Sequence, residues 1–345
     1  MKQTKFKEFL DRKGVEITFK KYGLEVLSSM ALGLFATLLV GTILNTIGDK
    51  FGITYLTETI WPAARDMTGA AIGVAIANTL NAPALVLYAA VVVGYLGNTL
   101  GGPLGCLIAT CFGVEFGKMV SKETKLDIIV TPAVTIIIGS LIASLFGPIL
   151  AKGMSSLGSF IMKTTELKPF FMGIIVSVIV GMVLTLPISS AALCMMIGLS
   201  GLAGGAATAG CSAQMVGFAV MSYRENGIEG LVSQGLGTSM LQIPNIVKNW
   251  KIWIPPTLAS AITGPISTVV FKMTNLPIGS GMGTSGLVGQ ICTVTSMTEA
   301  GVSAATIYSG ILIVHILLPA VLSVLFYNIL KKVGWIKDGD LKLNF

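Results

Sequence analysis

Apolar stretches long enough to cross a bilayer, which takes about 20 residues, follow one another from residue 24 to residue 330 with few charges between them. Such stretches must be solvated by lipid or by one another. Only 11% of the residues are charged, against about 25% in soluble domains, so the chain cannot cover a water-facing surface. The mean hydropathy of +0.83 agrees. The fold class expected is an all-α polytopic membrane protein of about ten transmembrane helices. Spans are expected near 24–48, 66–82, 84–100, 103–119, 128–150, 170–186, 189–203, 205–222, 252–273 and 303–330. Residues 228–247 and 275–296 are apolar but interrupted by Gly, Ser, Thr, Gln and Pro, and read as re-entrant or broken segments.

Charge placement sets the expected sides. Ten spans put both termini on one side. Seventeen of the 23 Lys and Arg then fall on that side, and six (Lys50, Arg65, Lys152, Lys163, Lys168, Lys272) fall on the other. The positive-inside rule makes the richer side cytoplasmic, in the cell membrane of a bacterium. The net charge of +7 is thus assigned to inner loops rather than to nucleic acid. Residues 1–22 carry seven of these cations among spaced apolar residues such as Phe6, Phe9, Leu10 and Ile17. They read as an amphipathic cytoplasmic segment on the inner face, followed by a membrane domain over 23–330 and a cytoplasmic tail over 331–345. The cysteines (Cys106, Cys111, Cys194, Cys211, Cys292) lie in apolar or Gly-rich stretches and read as packing residues. No metal site, cofactor or catalytic residue is expected.

The membrane domain repeats itself. Shifting residues 69–117 by 104 places Gly69 on Gly173, Pro83 on Pro187, Gly94, Gly97 and Gly101 on Gly198, Gly201 and Gly205, and Gly113 on Gly217. GLFATLLVGTIL from Gly33 parallels GSLIASLFGPIL from Gly139. The pattern gives repeat 1 near 23–120, repeat 2 near 128–222 and a remainder over 223–330. Four spans per repeat imply copies of the same orientation. Duplication of this kind is common in transporters, which bind substrate between repeats.

Polar groups at membrane depth are costly and mark candidate sites. Asn81 and Asn98 flank Pro83 and the run GNTLGGPLG; the repeat puts Ser189 and Ser190 after Pro187. A second cluster holds Gln234, Gln242 and Asn245, and a third Ser280, Thr284, Ser285 and Gln290, with His315 in the last span. Amides and hydroxyls supply donors and acceptors without a buried charge, which suits a small polar solute such as a sugar or polyol. Glu115 and Glu299 are candidate coupling carboxylates. The run GSGMGTSG lacks the Lys of a nucleotide-binding loop.

The Gly/Ser/Asn-punctuated spans, LPISSAA at Leu186 and NLPIGSGMGTSGLVGQ at Asn275 resemble the EIIC-type membrane component of the sugar phosphotransferase system, in the stand-alone branch that includes PfoR-type toxin regulators. The resemblance implies a carrier, commonly a homodimer, that accepts sugar from outside, with a membrane His and Glu at the site. No IIA or IIB region is read in this sequence, so the resemblance implies either soluble IIA and IIB partners that supply phosphate or a branch without phosphorylation coupling. The regulator branch implies an alternative, a membrane sensor on a transporter fold.

Overall fold

The computed structural model describes residues 8–343; Lys2, Lys5, Phe6 and Lys7 of the basic segment lie outside them. The protein is helical, and among the described residues its one β-type pairing is an isolated bridge between Gly201 and Asn275. It divides into two compact units, one running to Gly41 and over Thr54–Gly153, the other over Thr42–Ile53 and from Met154 onward. In chain order the helices are α1 (Lys21–Asp49), α2 (Thr68–Thr79), α3 (Ala84–Val120), α4 (Asp127–Thr165), α5 (Pro169–Thr185), α6 (Ser190–Met196), α7 (Gly201–Met221), α8 (Tyr223–Val232), α9 (Ile243–Lys248), α10 (Ile254–Pro265), α11 (Val288–Glu299) and α12 (Ala304–Lys332). Four of these, α1, α3, α4 and α12, are long and apolar enough to cross a membrane, and α2 and α5 are shorter apolar helices.

In the first unit α3 is two helices. Its 37 residues would reach about 55 Å if straight, well beyond the roughly 30 Å hydrocarbon core. Gly101 and Gly102 leave helical geometry, and Pro103, which has no N–H to donate, starts the second arm. The arms fold back on each other: Gly97 lies against Gly105, Cys106 and Ala109, and Gly117 lies against Val86. The expected spans 84–100 and 103–119 are therefore antiparallel neighbours. The helix α2 crosses the first arm so closely that a Cβ on Gly73 would fall on the Ala90 carbonyl, and one on Gly94 would fall on the Gly69 carbonyl. On α4, Ile137, Leu141, Leu145 and Ile149 recur every fourth residue and are all exposed, an apolar stripe fit for lipid.

Other expectations change. The expected 189–203 span is not one long helix. Only α6 is helical before Gly198 and Gly201, both at positive φ, and Ser200 between them is extended. The stretch 151–168, read as an outer loop, is helical through Thr165. Its small residues Gly153, Ser155 and Ser156 interrupt hydropathy without breaking a helix. The two segments expected to be broken are broken. Residues 233–248 pass through a π-helical turn (Ser233–Gly237), a 3-10 turn (Ser239–Gln242) and α9. Residues 277–287 form only the short turns Pro277–Ser280 and Ser285–Leu287 before α11.

The α2–α3 crossing is testable. Gly73→Val overpacks a backbone contact and should cost about 1–3 kcal/mol or more. Gly153→Ala meets nothing within 4 Å and should be neutral or stabilise slightly, because Ala is the better helix former by about 1 kcal/mol. Thermal melts in detergent should place the first variant clearly below the parent and the second at or above it.

Candidate functional site: a buried polar spine in the second unit

Helices α5 and α7 run parallel. Ser177 and Gly181 lie against Gly210, and the Thr185 hydroxyl donates to Gln214 Oε1 at 3.3 Å. A parallel pair needs a return between its members, which α6 and the non-helical residues 197–200 provide. Beside this return sits the loop from Asn275. Asn275 Nδ2 donates to Thr208 Oγ1 at 2.6 Å and to the Gly289 carbonyl at 3.0 Å, which ties both ends of the loop to α7 and α11. Ser280 Oγ donates to the Leu199 carbonyl and Ser190 Oγ to the Gly281 carbonyl, each at 2.7 Å. At φ +52° Gly283 lies on Cys211 and Ser212, where a side chain would be both strained and blocked.

The loop delivers Thr284, Ser285 and, one turn into α11, Gln290. Thr284 Oγ1 donates to the Gly235 carbonyl, which joins the two broken segments. Gln290 Nε2 lies 3.5 Å from Ser212 Oγ and 3.3 Å from Nδ1 of the fully buried His315. His315 sits in a π-helical stretch, Ile311–Leu317. Four residues on, Pro319 has no N–H for the His315 carbonyl, and a widened turn accommodates that loss. With the Gln290 amide donating to Nδ1, the ring carries its proton on Nε2. That Nε2, Gln290 Oε1 and Ser285 Oγ are buried and have no hydrogen-bond partner. Together these residues offer an open donor and an open acceptor, and a hydroxyl can serve either.

Six expected residues (Ser190, Ser280, Thr284, Ser285, Gln290, His315) thus fall on one connected set of contacts, with Ser189 half-buried at its edge. Others are placed differently. Gln234, Gln242 and Asn245 bond to one another and to the chain's own C-terminal residues. Asn81 is exposed in a left-handed turn before Pro83, and Asn98 packs on Gly69; both belong to the first unit. Glu299 is exposed at the far end of α11, about 13 Å along the helix from Gln290. Sequence reasoning missed Asn275, Thr185, Ser212 and Gln214. Gln214 accepts from Trp253 Nε1 at 2.9 Å. Asn275 opens the NLPIGSG run, and its polar amide in an otherwise apolar, Gly-rich stretch is the signal that could have found it.

A family model described as the phosphotransferase system EIIC component matches residues 24–343. The chain belongs to that EIIC family. No curated protein and no solved structure matches it. Family and apolar helices together make it a multi-pass membrane protein of transport type.

In this EIIC protein Glu115 belongs to a separate cluster in the first unit. Tyr22 OH donates to its Oε1 at 2.6 Å, and the Lys118 ammonium stands 3.1 Å from Oε2. Lys118 gives its hydrogens to the Gly14 carbonyl at 2.6 Å and the Leu80 carbonyl at 2.9 Å. Lys13 reaches the Ser121 carbonyl and Glu123. The N-terminal segment is therefore clasped to the 118–127 turn. Lys13 beside Glu123 holds that carboxyl below its usual range, so this outer contact is present at neutral pH and is lost as pH falls through the lowered value. The inner pair is buried, with side chains 2% and 10% exposed. Removing one buried partner strands the other, at about 3–5 kcal/mol, whereas removing both with apolar replacements is far milder. Lys118→Met should sharply lower the melting temperature and membrane yield, and Lys118→Met with Glu115→Leu should recover most of both.

Proposed function

We propose that this protein carries a small neutral hydroxylated solute, a sugar or polyol, across the bacterial inner membrane, binding it on the polar spine of the second unit. The observation that carries the reading is the buried trio Gln290 Oε1, His315 Nε2 and Ser285 Oγ, each without a partner. Such atoms cost about 1–3 kcal/mol each if left dry. Water would satisfy them in the empty site and hydroxyls in the loaded one. The broken segments add carbonyls and amides that long helices would have consumed. Neutral donors and acceptors favour an uncharged ligand, and membership in the EIIC family supports a carrier over a channel.

The rest follows the family. The protein works as a homodimer with both termini cytoplasmic, and separate IIA and IIB proteins supply phosphate. The side assignment rests on the gathering of Arg224, Lys248, Lys251 and the tail lysines, brought together by bonds such as that from Asn249 to the Trp335 carbonyl. The repeat is supported by a shared local pattern: in each unit a helix, a return after Pro83 or Pro187, and a third helix parallel to the first. In the first unit this appears as Cys106 beside Gly69 and Lys118 beside Leu80.

The test is uptake of a labelled panel of sugars and polyols into proteoliposomes, with and without soluble phosphotransfer proteins. At least one member should accumulate above empty liposomes. Gln290→Ala and His315→Ala should weaken its binding by about one to two decades at normal membrane yield. Parent-like binding in both variants would remove these residues from the site.

A further inference from the structure

The C-terminal residues 335–343 are bound along their backbone by side chains from α8, the 3-10 turn Ser239–Gln242, α9 and the turn after α9. Glu225 accepts from the Gly339 and Leu341 amides, both at 3.1 Å. Asn226 donates to the Leu341 carbonyl and accepts from the Leu343 amide, both at 2.8 Å, so that it pairs with the tail as a neighbouring strand would. Gln242 donates to the Leu341 carbonyl at 3.0 Å and Asn245 to the Lys342 carbonyl at 2.9 Å. Ile336 and Leu341 are fully buried as apolar anchors, and the Lys251 ammonium lies over the Trp335 ring. A freely solvated tail would have none of these.

The segment that holds the tail on one side holds the polar spine on the other. Gln242 also donates to Gln234 Oε1 at 2.9 Å, and Gln234 donates to Ser222 and Gly230. From the same 233–242 stretch, the Gly235 carbonyl takes the Thr284 hydroxyl, and Ser239 Oγ lies 2.8 Å from Thr185 Oγ1. These turns are π-helical and 3-10, runs of only five and four residues. Side-chain bonds from its two faces therefore hold the segment, and one face is the tail.

We propose that the C-terminal tail is a latch: docked in the Glu225–Asn226–Gln242–Asn245 cradle, it keeps the 233–242 segment closed over Thr185 and Thr284, and its release opens that side of the polar spine to water. Calling the spine a solute site rests on the reading above; the latch itself is measured without any solute.

The reporter is Ser239→Cys in the full chain, in lipid nanodiscs that leave both membrane faces accessible. Ser239 is fully buried, and the native cysteines are buried too, with Cys292 the most exposed at 9%, so the parent protein's labelling rate is the background. Modification by a polar maleimide should be slow with the tail intact. It should rise at least tenfold in Leu341→Asp and after removal of residues 335–345. A synthetic peptide of residues 335–343, added to the tail-less protein, should bring the rate back towards the parent; the same peptide with Leu341→Asp should not. A rate unchanged by tail removal overturns the latch. So does a raised rate that the peptide fails to slow, because the tail would then serve folding rather than closure. If uptake fails for every solute while these rates behave as expected, the latch stands and the carrier reading falls.

Discussion

In hydrocarbon every backbone and side-chain polar group must find its partner within the protein, and the arrangement of this chain follows from that requirement. Long helices satisfy their own backbones, which leaves their apolar faces, such as the α4 stripe, free for lipid. Wherever the chain breaks a helix, another element must supply the missing partners. Asn275 and Ser190 supply them for the 275–289 loop and Ser280 for the return after α5, while the tail carbonyls take the side-chain amides of Gln242 and Asn245. The breaks are consequently linked to one another by side-chain bonds, and three of the unpartnered buried atoms lie along them, at Ser285, Gln290 and His315, while others lie elsewhere, at Ser140, Ser267 and Ser323.

Close helix crossings make this arrangement possible. At the α2–α3 crossing backbone nearly touches backbone, and in the second unit Ser260 bridges α10 to the Gly210 carbonyl while Ser177 reaches the Ser260 carbonyl. Small residues bring the polar backbones near enough to share donors and acceptors. The same small residues lower hydropathy contrast along the sequence, so the feature that builds the core also blurs its boundaries.

That is why some of the fold was legible and some was not. Charge and hydropathy are summed over many residues, so the all-helical membrane class could be read directly; the segments 228–247 and 275–296, expected to be broken, are broken over 233–248 and 277–287 and helical at 228–232 and 288–296. The Gly101–Gly102–Pro103 turn was legible because each residue there has one dominant conformational effect. The helix through 151–165 was hidden by Gly and Ser, which read as loop by composition but keep a helix when packed. In the site, His315 and Gln290 stood out as polar residues in apolar runs. The tail contacts of Gln242 and Asn245 could not be read, because those partners are backbone atoms 99 and 97 residues away. Likewise Glu115 suggested a coupling group until Lys118, one turn along, and Tyr22 supplied its partners.

The central claim is that the broken segments of the second unit face water and solute rather than lipid or a dry core. Hydrogen–deuterium exchange on the full-length protein in nanodiscs tests it directly. The account predicts that amides of residues 281–287 exchange far faster than those of α7 in the empty protein. It predicts at least tenfold slowing on addition of one member of a sugar and polyol panel, with α4 unchanged. Exchange in 281–287 as slow as in α7, and unaltered by every solute, would contradict it.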